Sequence, residues 1–106
     1  MLFFEPDCEH CIRELKEIRS DTLLYKQAEI FLVSLSDKRE TEYLANQLYL
    51  SDLKYLHVVL LEDKSKASLP QQFMLPTLLF FNEKKKLTKI IEGETNVASI
   101  LSYLKR

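Results

Sequence analysis

The chain has 106 residues, with 15 Lys and Arg against 16 Asp and Glu, and its formal net charge of -1 leaves no electrostatic footprint for nucleic acid. It is long enough to bury a core without metal or disulfide staples, and no apolar run approaches the roughly 20 residues of a membrane span. Its only glycine, Gly93, excludes dinucleotide-binding and phosphate-loop fingerprints, which need several.

Leu2-Phe3-Phe4 is wholly apolar and bounded by Pro6, as a strand buried on both faces would be. A chain that opens inside a strand, with no leader ahead of it, is expected to be one domain, residues 1–106, that lacks N-terminal elements or is an excerpt of a longer chain. After "PDCEHC" (Pro6 to Cys11), Ile12, Leu15, Ile18 and Leu23 recur at helical spacing among Arg13, Glu14, Lys16 and Glu17. This predicts a helix of three or four turns that starts at the cysteines. "EIFLVSLSD" (Glu29 to Asp37) reads as a second strand, and Ser36 or Asp37 as the cap of a helix that buries Leu44 and Leu48. "HVVLLED" (His57 to Asp63) reads as a third strand.

"DKSKASLPQQFMLP" is expected to be a loop with a short helical turn ending at Met74-Leu75. Thr77–Phe81 and Leu87–Glu92 flank "NEKKK" as an antiparallel hairpin, with Lys84, Lys85 and Lys86 in a solvated turn. Gly93 breaks the chain, and "ETNVASILSYLKR" closes it as a helix capped by Thr95 or Asn96, with Val97, Ile100, Leu101 and Leu104 inward. Phe3, Phe4, Phe31, Phe80 and Phe81 lie in strands and are expected in the core. The order β-α-β-α-β-(α)-β-β-α predicts an α/β protein with a mixed central sheet of about five strands and helices on both faces.

Chemistry concentrates at the only two cysteines, Cys8 and Cys11. A structural zinc needs four ligands, and the remaining candidates are His10, inside the pair, and His57, far along the chain. Haem attachment needs a His directly after the second Cys, where Ile12 stands. A structural disulfide closing so short a loop would gain little, because the effect grows with loop length. A redox pair fits best. At a helix start, free N–H groups and the helix dipole favour a thiolate at Cys8, while Cys11, one turn further in, is placed to resolve a mixed disulfide.

With these features the chain resembles the thioredoxin superfamily, and within it the TlpA/ResA-like thiol-disulfide oxidoreductases. The resemblance rests on "LFFEPDCEHCIRE", "IFLVSLSD", "LPTLLFFNEKKKLTKIIEG" and the closing helix. It implies a thioredoxin-like sheet with strand order third, second, first, fourth, fifth. It implies that Cys8 attacks, Cys11 resolves, and Pro76 in "LPT" is a cis-proline presenting the Leu75 backbone to a substrate polypeptide. Glu14 matches an acidic residue placed near the disulfide as a proton acceptor. An exposed helix carboxylate between Arg13 and Lys16 is the other reading of Glu14.

The resemblance implies no cofactor and no membrane insertion of this segment. Its partners would be protein thiols and disulfides, with an electron donor or acceptor. It also implies export, to the periplasm of a Gram-negative bacterium. Asp7 stands where the family usually has Trp, and Asp7 and Glu9 disfavour a Cys8 thiolate, whereas His10 and the helix N-terminus favour it. Phe73 and Met74, beside Pro76, either line a groove for substrate or simply pack. The rival reading is a thioredoxin-fold binding or adaptor domain with a vestigial or structural cysteine pair. Peroxide reduction, a third, asks for a Thr and an Arg around a differently placed Cys.

Overall fold

The first strand, β1 (Leu2–Phe4), is buried along its whole length, and the rest of the fold is built outward from it. The computed structural model describes residues 1–70 and 73–104. After β1 come α1 (Glu9–Ser20), α2 (Thr22–Gln27), β2 (Ile30–Ser34), α3 (Lys38–Gln47), a 3-10 turn at Leu50–Asp52, and β3 (Leu56–Leu60). A short α4 (Asp63–Lys66), β4 (Thr77–Phe81), β5 (Leu87–Glu92) and α5 (Val97–Leu104) complete the chain. The strands form one mixed sheet in the order β3-β2-β1-β4-β5, the order expected from the resemblance.

β1 pairs parallel to β2 (Phe3 opposite Val33), β2 parallel to β3, and β4 antiparallel to both β1 (Phe3 opposite Thr77) and β5. Strand side chains alternate between faces. One face therefore carries Leu2, Phe4, Leu32 and Leu78, which pack with Leu15 and Ile18 of α1, Leu24 of α2, Leu44 of α3 and Ile100 of α5 in the main core. Burial of each such side chain contributes roughly 1.5–3 kcal/mol.

Three details depart from the sequence pattern. The first predicted helix is two. Asp21 ends α1 by donating its N–H to the Ile18 carbonyl, and its carboxylate accepts the Leu24 N–H to start α2. That break rephases the turn, so Leu24 is buried and Leu23 stays 54% exposed. The third strand stops at Leu60, and a helical turn follows it directly at Asp63–Lys66. There the Glu62 carbonyl accepts from Ser65 and Lys66. Gln71 and Gln72 of the predicted loop, and Lys105 and Arg106 of the predicted last helix, lie outside the described residues.

The third departure concerns aromatics. Phe3, Phe4 and Phe80 are buried as expected, but Phe31 and Phe81 are 38% and 45% exposed. Both alternate onto the sheet face away from the main core, where Phe31 stacks on His57 of the edge strand β3 at 4.8 Å between ring centres. The helix caps follow the sequence. Asp37 accepts the Glu40 N–H at the start of α3, and Asn96 accepts the Ser99 N–H at the start of α5.

Leu15 is fully buried among these contacts. Leu15→Ala is expected to lower unfolding stability in urea by about 3 kcal/mol, whereas Phe81→Ser should cost less than about 1 kcal/mol.

Candidate functional site

β1 delivers the chain to the cysteines through a tight turn at Pro6-Asp7, closed by the Cys8 N–H donating to the Glu5 carbonyl at 3.2 Å. Cys8 is the N-cap of α1, in extended conformation (φ -92°, ψ 112°). Its sulfur occupies the place usually taken by a Ser or Asp oxygen and accepts the Cys11 N–H at 3.2 Å. Cys8 is partly exposed and Cys11 fully buried, both as free thiols. Burial pushes the Cys11 thiol up to about 12, helped by the Cys8 side chain and opposed by a hydrogen bond from the Glu5 backbone. One sulfur thus faces solvent at a helix N-terminus, and the other waits behind it as a protonated thiol.

Glu14 lies one turn past Cys11 on the same side of α1 and is 1% exposed, so the reading of it as an exposed helix carboxylate is overturned. Its Oε1 accepts the Thr95 N–H at 2.6 Å, and Oε2 is buried with no hydrogen-bond partner among the described residues. Burial raises its pKa to about 7, with the Thr95 hydrogen bond pulling the other way and the charges of Glu94 and Glu17 adding to the rise. Its charge also acts on Cys11.

The pairing of Phe3 with Thr77 sets Pro76 at the level of Phe4, at the end of the sheet where β1 runs into the cysteine turn. Pro76 is fully buried, and the Leu75–Pro76 bond is cis. Its carbonyl accepts the Gly93 N–H at 2.8 Å, and the Thr77 hydroxyl donates to the Met74 carbonyl. Gly93 sits at φ +91°, a left-handed conformation that other residues adopt with strain. Phe73 packs edge-on against Phe3 at 5.4 Å, so it is a packing residue, while Met74 remains 51% exposed.

His10 is exposed, and its Nδ1 lies 2.7 Å from Glu94 Oε1. Arg13 reaches the same carboxylate with Nε and Nη2. Neither Glu94 nor Arg13 stands out in the sequence. Their partnership crosses 81 positions, and the only local signal is an acidic residue following the single glycine. An open groove of about 1020 Å³ adjoins the cysteine turn, with Pro6, Asp7 and Ile12 on one wall and Tyr43, Asn46 and Gln47 of α3 on the other. Among the described residues no group of three or more His, Cys, Asp and Glu side chains could hold a metal ion, and no helix is long and apolar enough to cross a membrane.

No protein-family model and no curated protein matches the chain. Solved structures do match. A protein named as a thioredoxin from Neisseria meningitidis superposes with a TM-score of 0.77 at 18% identity, covering 98% of this chain and 69% of its own. The fold is thioredoxin-like. StoA from Bacillus subtilis aligns at TM-score 0.72 and 19% identity over 99% of this chain and 79% of its own. The pneumococcal exposed lipoprotein thioredoxin of Streptococcus pneumoniae aligns at 0.69 and 21% over 98% and 80%. In this thioredoxin-like frame, Cys8 and Cys11 form the Cys-x-x-Cys pair between first strand and first helix.

The raised pKa of Glu14 makes a stability prediction. The folded state favours protonated Glu14, so that contribution is fully present below about pH 4.5 and is lost as pH rises through about 7. Its size is of order 3 kcal/mol. Between pH 4.5 and 7.5 the reduced protein should lose stability by an amount approaching this, and Glu14→Gln should remove most of that slope in urea titrations at each pH.

Proposed function

We propose that this chain is a thiol-disulfide oxidoreductase of the TlpA/ResA-like kind, acting on protein thiols and disulfides. The observation that carries this reading is the Cys8 sulfur capping α1 with the buried Cys11 thiol one turn behind it. A sulfur held by a helix N–H group at the positive end of a dipole is suited to be a thiolate and a leaving group. In the reducing direction, the Cys8 thiolate attacks one sulfur of a substrate disulfide. The substrate S–S bond breaks, the first substrate thiolate leaves, and a mixed disulfide forms at Cys8.

Cys11 then gives up its proton and attacks the Cys8 sulfur, releasing the second substrate thiol and leaving a Cys8–Cys11 disulfide. Two electrons have passed from protein to substrate, and a separate dithiol donor must return them. The same steps run backwards for substrate oxidation. Glu14 accepts the Cys11 proton: its carboxylate is close enough in charge to act on Cys11, and a pKa of about 7 suits it to hold and release a proton near neutrality.

The Leu75–Pro76 backbone docks the substrate chain beside the sulfurs. Support comes from the strand register that brings Pro76 to the cysteine end of the sheet. Work outside the cytoplasm fits the chemistry, since disulfides persist there, and a neighbour in fold is named an exposed lipoprotein.

The test is the reduction potential of the pair in glutathione buffers, together with three substitutions. A value between roughly -270 and -120 mV is expected. Cys11→Ser should trap a mixed disulfide when mixed with a disulfide-bonded peptide, the other peptide thiolate leaving, and Cys8→Ser should abolish exchange. Glu14→Gln should slow resolution of the mixed disulfide by about 100-fold. A potential below about -300 mV with no trappable Cys8 would leave a binding module in place of an enzyme.

A further inference from the structure

Three residues of α1 around Cys11 face the segment between β5 and α5: His10 just before it, and Arg13 and Glu14 after it. Glu94 takes the first two. Its Oε1 lies 2.7 Å from His10 Nδ1 and accepts from Arg13 Nη2 at 2.8 Å, while Arg13 Nε reaches both carboxylate oxygens at 3.2 Å. Arg13 Nη2 is also 2.6 Å from His10 Nδ1. A guanidinium only donates, so His10 Nδ1 serves Glu94 as a donor or Arg13 as an acceptor, and never both. Glu94 and Arg13 therefore compete for one nitrogen in the dipeptide between the cysteines.

One of these charges reaches the outer sulfur. Arg13 and Cys8 act on one another electrostatically, as do Arg13 and Glu9. Glu94 adds to the upward push on Glu14. Arg13, and after it His10, hold the Glu94 carboxyl down to about 2, so it is a constant negative charge wherever the protein works.

We propose that Glu94 is a positioning residue for the redox centre: it neutralises Arg13 and orients His10, and so keeps the Cys8–Cys11 couple more reducing than the bare start of α1 would make it. This rests on the oxidoreductase reading. The relevant equilibrium is protein disulfide plus two glutathione thiols giving protein dithiol plus glutathione disulfide. The protein S–S bond breaks and one forms between the glutathiones. Two electrons enter the protein with up to two protons: Cys11 keeps one, and the other is released to the extent that Cys8 is a thiolate.

Anything that stabilises the Cys8 thiolate therefore favours the reduced protein and makes the disulfide a better oxidant. With Glu94 neutral, Arg13 is an uncompensated cation acting on Cys8. With Arg13 neutral, Glu94 is an uncompensated anion beside His10. Glu9, Glu14 and Glu17 are present in both cases.

The experiment is the glutathione equilibrium, read by thiol trapping, for the intact chain and for Glu94→Gln, Arg13→Gln and the double variant, with melting temperatures alongside. Glu94→Gln should shift the equilibrium three- to tenfold toward dithiol, about 15–30 mV less reducing. Arg13→Gln should shift it the opposite way, and the double variant should return close to the parent.

A tie that merely holds the loop to α1 would lower both melting temperatures and move the two potentials in the same direction or not at all. Either result overturns the proposal. Glu94→Asp, which keeps the charge, should stay near the parent potential, and a shift matching Glu94→Gln would overturn it as well. Failure of the parent chain to exchange with glutathione would instead sink the oxidoreductase reading, and this proposal with it.

Discussion

The hydrogen bond from the Cys11 N–H to the Cys8 sulfur is the contact on which the rest of the site depends. It fixes where α1 begins, and the start of α1 fixes everything at helical spacing after it. With Cys8 as N-cap, Cys11 falls on the inward face, and so do Glu14, Leu15 and Ile18. The hydrophobic demand of Leu15 and Ile18 holds the helix against the sheet. The same packing is what buries the second thiol and the carboxylate. Core and chemistry share one helix face, and neither can be moved without the other.

Two carboxylates near one another end in opposite states because of what surrounds them. Glu14 is under the surface with one oxygen satisfied by Thr95 and the other by none of the described residues, and burial lifts it toward neutrality. Glu94, the neighbour of Thr95 in sequence, points outward into Arg13 and His10 and is held ionised. The short run Gly93-Glu94-Thr95 makes both contacts, and the Gly93 N–H also closes on the Pro76 carbonyl. That run links the proline loop to the cysteine helix. Its left-handed glycine turns the chain from β5 toward α1 in the space available.

Much of this was legible in the residues. The apolar triplet before Pro6, the cysteine spacing and the Ile12, Leu15, Ile18 period predict a strand, a cysteine pair at a helix start and the helix itself, because each is a local pattern with a local cause. The hairpin and the caps at Asp37 and Asn96 are local in the same way. The misplaced features have a different character. Whether Leu23 or Leu24 turned inward depended on Asp21 offering its side chain to a new helix, an outcome that periodicity alone does not encode. Hydrophobicity predicts Phe31 and Phe81 in the core, yet exposure depends on which sheet face the helices cover.

By itself, then, the sequence determined the strand, the cysteine pair, the helix they open and the identity of Pro76 as the strand-leading proline. These follow from spacing within a few residues. Only the tertiary structure decided that Glu14 is buried and that Glu94 and Arg13 bracket His10. The physical reason is distance along the chain: each contact joins residues more than 80 positions apart. Desolvation and charge depend on neighbours in space, and no local pattern carries them.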